Sequence, residues 1–109
     1  METMELRLVS DDDRRSLYEM GNGGTWKVCK YLEFKTDSIV GNHLHKKKDE
    51  LFLLVLGQGE FKVGEETFVR NAPFSFLVSR GTYHSFKLTA GSRLICLASE
   101  LHDPNDDHR

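Results

Sequence analysis

Apolar and polar residues alternate along most of this chain with the two-residue period of β-strands. Trp26, Val28, Leu32 and Phe34 fall on one side of a run whose other side is Lys27, Cys29, Tyr31 and Glu33, and only Lys30 breaks the pattern. Shorter runs from Glu5 to Val9, Arg15 to Met20, Glu60 to Val63, Thr67 to Arg70, Ser75 to Val78, Tyr83 to Leu88 and Arg93 to Ala98 predict further strands. Between them stand turn formers: Asp11-Asp12-Asp13, Gly21-Asn22-Gly23-Gly24, Thr36-Asp37-Ser38, Gly57-Gln58-Gly59 and Gly64-Glu65. No stretch sustains a helical period, so the pattern predicts an all-β antiparallel barrel or jelly roll of roughly nine or ten short strands.

Glu50 to Leu56 is apolar on both faces, with Phe52, Leu54 and Leu56 sharing the parity of Glu50 and with Leu51, Leu53 and Val55 opposite. Such a strand is buried on both sides. One face fills the barrel, and the other needs a second sheet or a partner subunit, which predicts a homodimer.

A chain of 109 residues is expected to form one domain, residues 1–109, with short N-terminal strands and a loose polar tail from about residue 102. Charged residues at 29% with a net charge of −2 give no basic stripe for nucleic acid. No window is apolar enough for a membrane helix, and Met1 to Glu5 lacks the features of a secretory signal, so a cytoplasmic protein is expected. Cys29 and Cys96 lie in strand-like runs without metal or redox spacing and are expected to be buried thiols, with Cys29 also a candidate for a cavity wall.

The chemistry concentrates in Gly41-Asn42-His43-Leu44-His45-Lys46-Lys47-Lys48-Asp49-Glu50. Histidines two apart on a strand share a face, with Cα atoms about 6.5–7 Å apart, so both imidazoles can reach one point. Glu50 can join them from the next strand and His84 from beyond the Gly81 turn. Three imidazoles and a carboxylate suit a divalent transition metal, whether Mn, Fe, Ni, Cu or Zn, better than Mg or Ca. Lys46, Lys47, Lys48 and Arg80 either keep a hairpin tip soluble or attract the phosphate of an anionic substrate. Tyr31 and Tyr83 either line the cavity as catalytic groups or pack. His102 and His108 are expected to be solvated.

These residues resemble the cupin family. Its first motif runs Gly, five residues, His-x-His, three or four residues, Glu, six residues, Gly, and His43, His45, Glu50 and Gly57 fall on it. The leading glycine position is Asp37, with Gly41 nearby. Its second motif, Pro-x-Gly-x-x-His, matches at Gly81 and His84, with Ser79 in place of proline. The resemblance implies a cupin jelly roll with a metal held by His43, His45, Glu50 and His84.

A narrower resemblance, to RmlC-like sugar-nucleotide epimerases and ketoisomerases, rests on three segments. Asp12 to Glu19 looks like an Asp-x-Arg-Gly-x-Leu opening with Arg15 replacing Gly, and His43-Leu44-His45-Lys46 looks like His-Ala-His-Lys. Leu97 to Asp107 is similar to Leu-Ala-Ser-x-x-Tyr-Asp-Glu-x-Asp. This resemblance implies proton removal beside a ketone and an enediol intermediate, with His43 and His45 as acid and base on a keto sugar, possibly nucleotide-linked. The chain departs from the ketoisomerase branch at Glu50, where a carboxylate is not usual, and at Ile39 and Val40, near where an arginine is. Glu50 points back to a metal. The leading expectation is a metal-binding isomerase or epimerase, and the alternatives are an Fe or Mn dioxygenase and a sugar-binding module without turnover.

Overall fold

The computed structural model describes residues 2–4, 7–11, 13, 16–19 and 26–108. The described residues form strands β1 (Glu2–Met4), β2 (Arg7–Asp11), β3 (Ser16–Glu19), β4 (Val28–Glu33), β5 (Ser38–His43), β6 (Glu50–Leu56), β7 (Gln58–Val63), β8 (Glu66–Asn71), β9 (Phe74–Val78), β10 (His84–Leu88) and β11 (Arg93–Ala98). A short 3-10 helix, Pro104–Asp106, follows. Asp12, Arg14 and Arg15 of the opening motif, Met20 and the Gly21–Gly24 break lie outside the described residues.

Every pairing is antiparallel. A five-stranded sheet runs β1-β9-β6-β11-β4, a four-stranded sheet runs β5-β10-β7-β8, and β2 pairs with β3. The all-β jelly roll expected from the alternation is the architecture observed. Strand parity explains the core. Phe52 and Leu54 of β6, Phe76 and Val78 of β9, and Leu94 and Cys96 of β11 face inward from the larger sheet. Phe61 and Val63 of β7 and Phe86 and Leu88 of β10 answer them from the smaller one. Phe76 meets Phe61 and Phe86 edge-on, with ring centroids 5.1 and 5.3 Å apart. Each fully buried side chain of this size contributes about 1.5–3 kcal/mol of transfer free energy.

Leu51 of β6 is buried, while Val55 on the same outer face and Leu56 at the end of the strand are exposed in the single chain, where the sequence called for a second sheet or a partner subunit. One expectation needs correction. Cys29 is exposed, because it shares the outward parity of Tyr31 and Glu33 on an edge strand, whereas Cys96 is buried as expected. No described helix is long and apolar enough to cross a membrane.

Candidate active site

The pairing of β5 with β10 sets His43 directly opposite His84. Immediately beyond, the register shifts, so that Ser85 pairs with Gly41 and Asn42 is the extra residue of a β-bulge. Asn42 (φ +63°) and Gly41 (φ +85°) both lie in the left-handed region. Asparagine tolerates that conformation, and at residue 41 glycine is also required by space, because a Cβ there would lie 2.8 Å from His84 Cδ2 and 2.9 Å from the His84 carbonyl oxygen. The bulge thus lets β5 approach the His84 ring. His45 follows just past the end of β5, and Glu50 is the first residue of β6.

The three rings cluster, with centroid separations of 4.3 Å for His43 and His45, 4.7 Å for His43 and His84, and 5.6 Å for His45 and His84. Each of His43, His45, Glu50 and His84 offers a ligand atom, all within 4.8 Å of one another. His45, His84 and Glu50 are buried and His43 is half-buried. They line a cavity of about 170 Å³ whose walls include Leu32, Val40, Phe52, Leu94 and Cys96. A larger cavity of about 500 Å³, lined by Ile39, Val69 and Lys87 among others, contains none of these histidines and is not where the chemistry converges.

The tail, expected to be loose, fixes the site. Leu44 and His108 exchange backbone hydrogen bonds of 2.7 and 3.0 Å, and the Asp106 carboxylate accepts from the backbone N–H groups of Lys46 and Lys47 at 3.0 and 3.2 Å. Burial raises the pKa of Asp106, but these two amides together with the nearby His45 and His108 outweigh it, so the net shift is downward. Asp103 caps the 3-10 helix by accepting from the Asn105 N–H. His45 Nδ1 lies 3.0 Å from the Asp106 carbonyl oxygen and 3.3 Å from Asp107 Oδ1. A carbonyl only accepts, so this contact assigns the proton to Nδ1 and turns Nε2 toward Glu50.

That orientation carries a chemical demand. His45 Nε2 is 3.1 Å from Glu50 Oε1, and His84 Nε2 is 3.7 Å from the same oxygen. Glu50 Oε1 is buried, and neither approach has the alignment of a hydrogen bond. Its other oxygen accepts from the Cys96 thiol at 3.3 Å. A lone pair on nitrogen facing a carboxylate oxygen at this distance calls for a cation between them, either a proton on Nε2 or a metal ion. Burial, and then the neighbouring His45, lowers the pKa of His43, and burial pushes His84 down to about 4. Both rings are therefore neutral at pH 7, the form in which imidazole binds a metal or accepts a proton. The four side chains fit a divalent transition ion of the borderline class.

The other residues singled out in the sequence fall elsewhere. Tyr31 is exposed on the outer face of β4 and bonds Glu33, away from the cavity. Tyr83 is half-buried, and its hydroxyl donates to the Asn42 side chain, bracing the bulge rather than lining the cavity. Arg80 is engaged with the Asp49 carboxylate through its backbone N–H (2.8 Å), Nε (3.3 Å) and a terminal nitrogen (3.2 Å), which leaves it committed to the turn. Lys46 and Lys47 are exposed, and Lys47 reaches Asp103 at 3.4 Å. Lys48 alone of the run is buried, and it lines the histidine cavity.

Sequence reasoning missed Asp106, Asp107 and Cys96 at this site. It also set aside His102, which lines the cavity, and it saw Lys30 only as a break in the alternation. Parity was the available signal for one lysine and the cysteine: Lys30 shares a face with Val28 and Leu32, and Cys96 with Leu94, whereas Lys48 lies in the loop before β6.

No family model matches the chain, and no curated protein matches it in sequence. Solved structures do match it. The TDP-quinovose 3,4-ketoisomerase of Campylobacter jejuni superposes with a TM-score of 0.86 at 23% identity, covering 99% of this chain and 91% of that one. A sugar 3,4-ketoisomerase of Thermoanaerobacterium thermosaccharolyticum, solved in complex with TDP, gives 0.78 at 22%, covering 98% and 85%. The dTDP-4-dehydrorhamnose 3,5-epimerase of Bacillus anthracis, with TDP and pyrophosphate bound, gives 0.81 at 17%, covering 96% and 75%. Likeness of this extent over nearly the whole chain establishes its architecture: the chain has the antiparallel jelly-roll fold of these ketoisomerases and this epimerase.

Proposed function

We propose that the protein is an isomerase or epimerase that moves a proton beside the carbonyl of a keto sugar carried on a nucleoside diphosphate. The observation that carries this reading is His43. It is the half-buried member of the histidine cluster, it opens onto a cavity of about 170 Å³, and its lowered pKa keeps it a neutral base at pH 7. The fold, shared with ketoisomerases and epimerases of nucleotide-linked sugars, supports the choice of substrate.

In this mechanism the imidazole of His43 removes the proton from the carbon next to the ketone. The C–H electron pair becomes the double bond of an enediol, and the imidazolium, whose proton exchanges with solvent, delivers a proton to the neighbouring carbon. His45 is held by Asp106 and Asp107 with Nε2 facing the cavity, and it can pass a proton between the two oxygens. The apolar wall of Phe52, Val40 and Leu94 excludes water while the enediol exists.

The contact between Glu50 Oε1 and the Nε2 atoms of His45 and His84 favours a second version of the same site. A divalent transition metal held by His43, His45, Glu50 and His84 would polarise the substrate carbonyl as a Lewis acid. The same four ligands could serve an Fe or Mn oxygenase, which oxygen uptake would reveal. Two free thiols fit a cytoplasmic setting. The exposed Tyr31 and Val55 on the outer face of the larger sheet fit a homodimer, which light scattering would test.

The test is incubation with TDP-4-keto-6-deoxyglucose, the ligand with which a variant of the T. thermosaccharolyticum ketoisomerase was solved, and with related nucleotide-linked keto sugars. Products are followed by NMR before and after chelation. A moved carbonyl or inverted centre is expected. Survival after chelation assigns the acid-base version, and loss restored by an added ion assigns the metal version. Failure to convert any of these substrates in either state would contradict the reading.

A further inference from the structure

The histidine cavity contains two cations that the mechanism does not use. Lys48 is 5% exposed and Lys30 faces the cavity from β4, directly opposite Cys96 of β11. Among the described residues neither ammonium has an ion pair or a hydrogen bond. Two acids share the cavity, Glu50, whose Oε2 accepts from the Cys96 thiol, and Asp107, 3.3 Å from His45 Nδ1, but neither is in ion-pair contact with Lys48 or Lys30. The Lys48 nitrogen is not among the buried polar atoms that lack a partner, so its stem is buried while its head reaches the solvent of the cavity. Both lysine charges act on the Cys96 thiol, and that of Lys48 acts on His43 as well, which places them around one volume.

Lys48 is buried along its stem and Lys30 is exposed on the side away from the cavity, so both ammonium groups border the cavity without being tied to a protein anion, and their charge is open to an anion that enters it. A carboxylate on the bound molecule would meet that charge throughout the cycle, whereas a transient oxyanion would meet it only briefly. Lys46 and Lys47, next in sequence, lie in solvent, so the inward course of Lys48 is a feature of its position rather than of the run.

We propose that Lys48 and Lys30 form a carboxylate subsite inside the histidine cavity, so that the sugar acted on is itself acidic, a keto sugar bearing a carboxylate on the ring. This rests on the isomerase reading for the reaction but not for the binding. A ring of this kind would place its carboxylate on Lys48 and Lys30 and its carbonyl toward His43.

The test is binding rather than turnover, on chelator-treated protein so that metal chelation cannot contribute. Ligand-observed NMR compares D-glucuronate with D-glucose, two rings that differ in the carboxylate. Glucuronate is expected to bind at least about tenfold more tightly, in line with a charge-assisted pair in a partly dry site. The preference should vanish in Lys48→Met, shrink in Lys30→Met and persist in Lys48→Arg. Circular dichroism checks the fold of each variant, and if Lys48→Met does not fold, Lys30→Met and the wild-type comparison decide. No preference in the wild type, or a preference untouched by Lys48→Met, overturns the subsite. Conversion of neutral keto sugars together with no carboxylate preference would leave the isomerase standing and the subsite refuted.

Discussion

Replacing Gly41 with alanine separates backbone strain from loss of the site, because the fold supplies its own control. Gly41 and Gly91 have nearly the same conformation, φ +85° and +86°. A Cβ at Gly91 meets nothing within 4 Å, whereas one at Gly41 meets the His84 ring at 2.8 Å and the His84 carbonyl oxygen at 2.9 Å. The left-handed conformation costs an alanine about 1–2 kcal/mol, and the stiffer unfolded chain returns about 0.4–1 kcal/mol. Gly91→Ala should therefore lose about 0.5–1 kcal/mol.

Gly41→Ala carries the same backbone cost plus overpacking of about 1–3 kcal/mol, for a total of about 2–4 kcal/mol. The carbonyl oxygen it strikes belongs to the backbone of β10, so the ring is the part that must yield. At about 4–8 °C per kcal/mol for a domain near this size, the melting temperature should fall by several degrees at Gly91 and by about 10 °C or more at Gly41. Thermal melts of both variants, with metal affinity and turnover alongside, provide the assay. Equal destabilisation, or a Gly41→Ala protein with wild-type affinity and turnover, would refute the view that the bulge exists to seat His84.

Other perturbations probe the rest of the site. Asp107→Ala should reduce turnover or metal affinity by about 10–100-fold while shifting the melting temperature little, since it removes only an exposed partner of His45; an unchanged rate would mean that the Asp106 carbonyl alone orients the ring. Glu50→Gln should abolish stoichiometric metal uptake, read by elemental mass spectrometry, because it removes the only anionic ligand of the four; full occupancy in that variant would rule Glu50 out as a ligand. The metal-free protein should lose stability in acid through His84. Its folded pKa of about 4 lies below the unfolded value near 6.5, so the unfolded chain takes up the extra proton first. Stability present above pH 6.5 is lost as the pH falls toward 4, by about 3 kcal/mol from this group. Urea titrations from pH 7.5 to 4.5 check this, and a flat profile would contradict the burial of a neutral His84.

The strands and the four-residue cluster were legible in the sequence because both rest on the two-residue period. That period set Phe52, Leu54, Phe76 and Phe86 inward, and short spacings carried His43, His45, Glu50 and His84. The C-terminal strap was not legible. It is fastened by a carboxylate on two backbone amides and by one backbone bridge, and polar fastenings of this kind leave no hydrophobic signature, so Asp103 to His108 looks like a solvated tail. The run Lys46 to Lys48 misled in the same way, since composition describes the run whereas the course of the loop before β6 buries Lys48 alone. Cys29 was expected inside because cysteine is usually buried, but the edge position of β4 leaves its outward face open. Arg80 was visible as a cation, but its pairing with Asp49 depends on a contact across the site loop that spacing does not reveal.

The central claim is that His43 moves a proton beside a sugar carbonyl, and deuterium exchange tests it most directly. A nucleotide-linked keto sugar incubated with the protein in deuterated water should gain deuterium at the carbon adjacent to the ketone, at a rate proportional to protein concentration. His43→Asn should slow this by about 100-fold or more while leaving nucleotide binding intact. Exchange at the wild-type rate in His43→Asn, or no exchange in the wild type with or without added metal, would contradict the account.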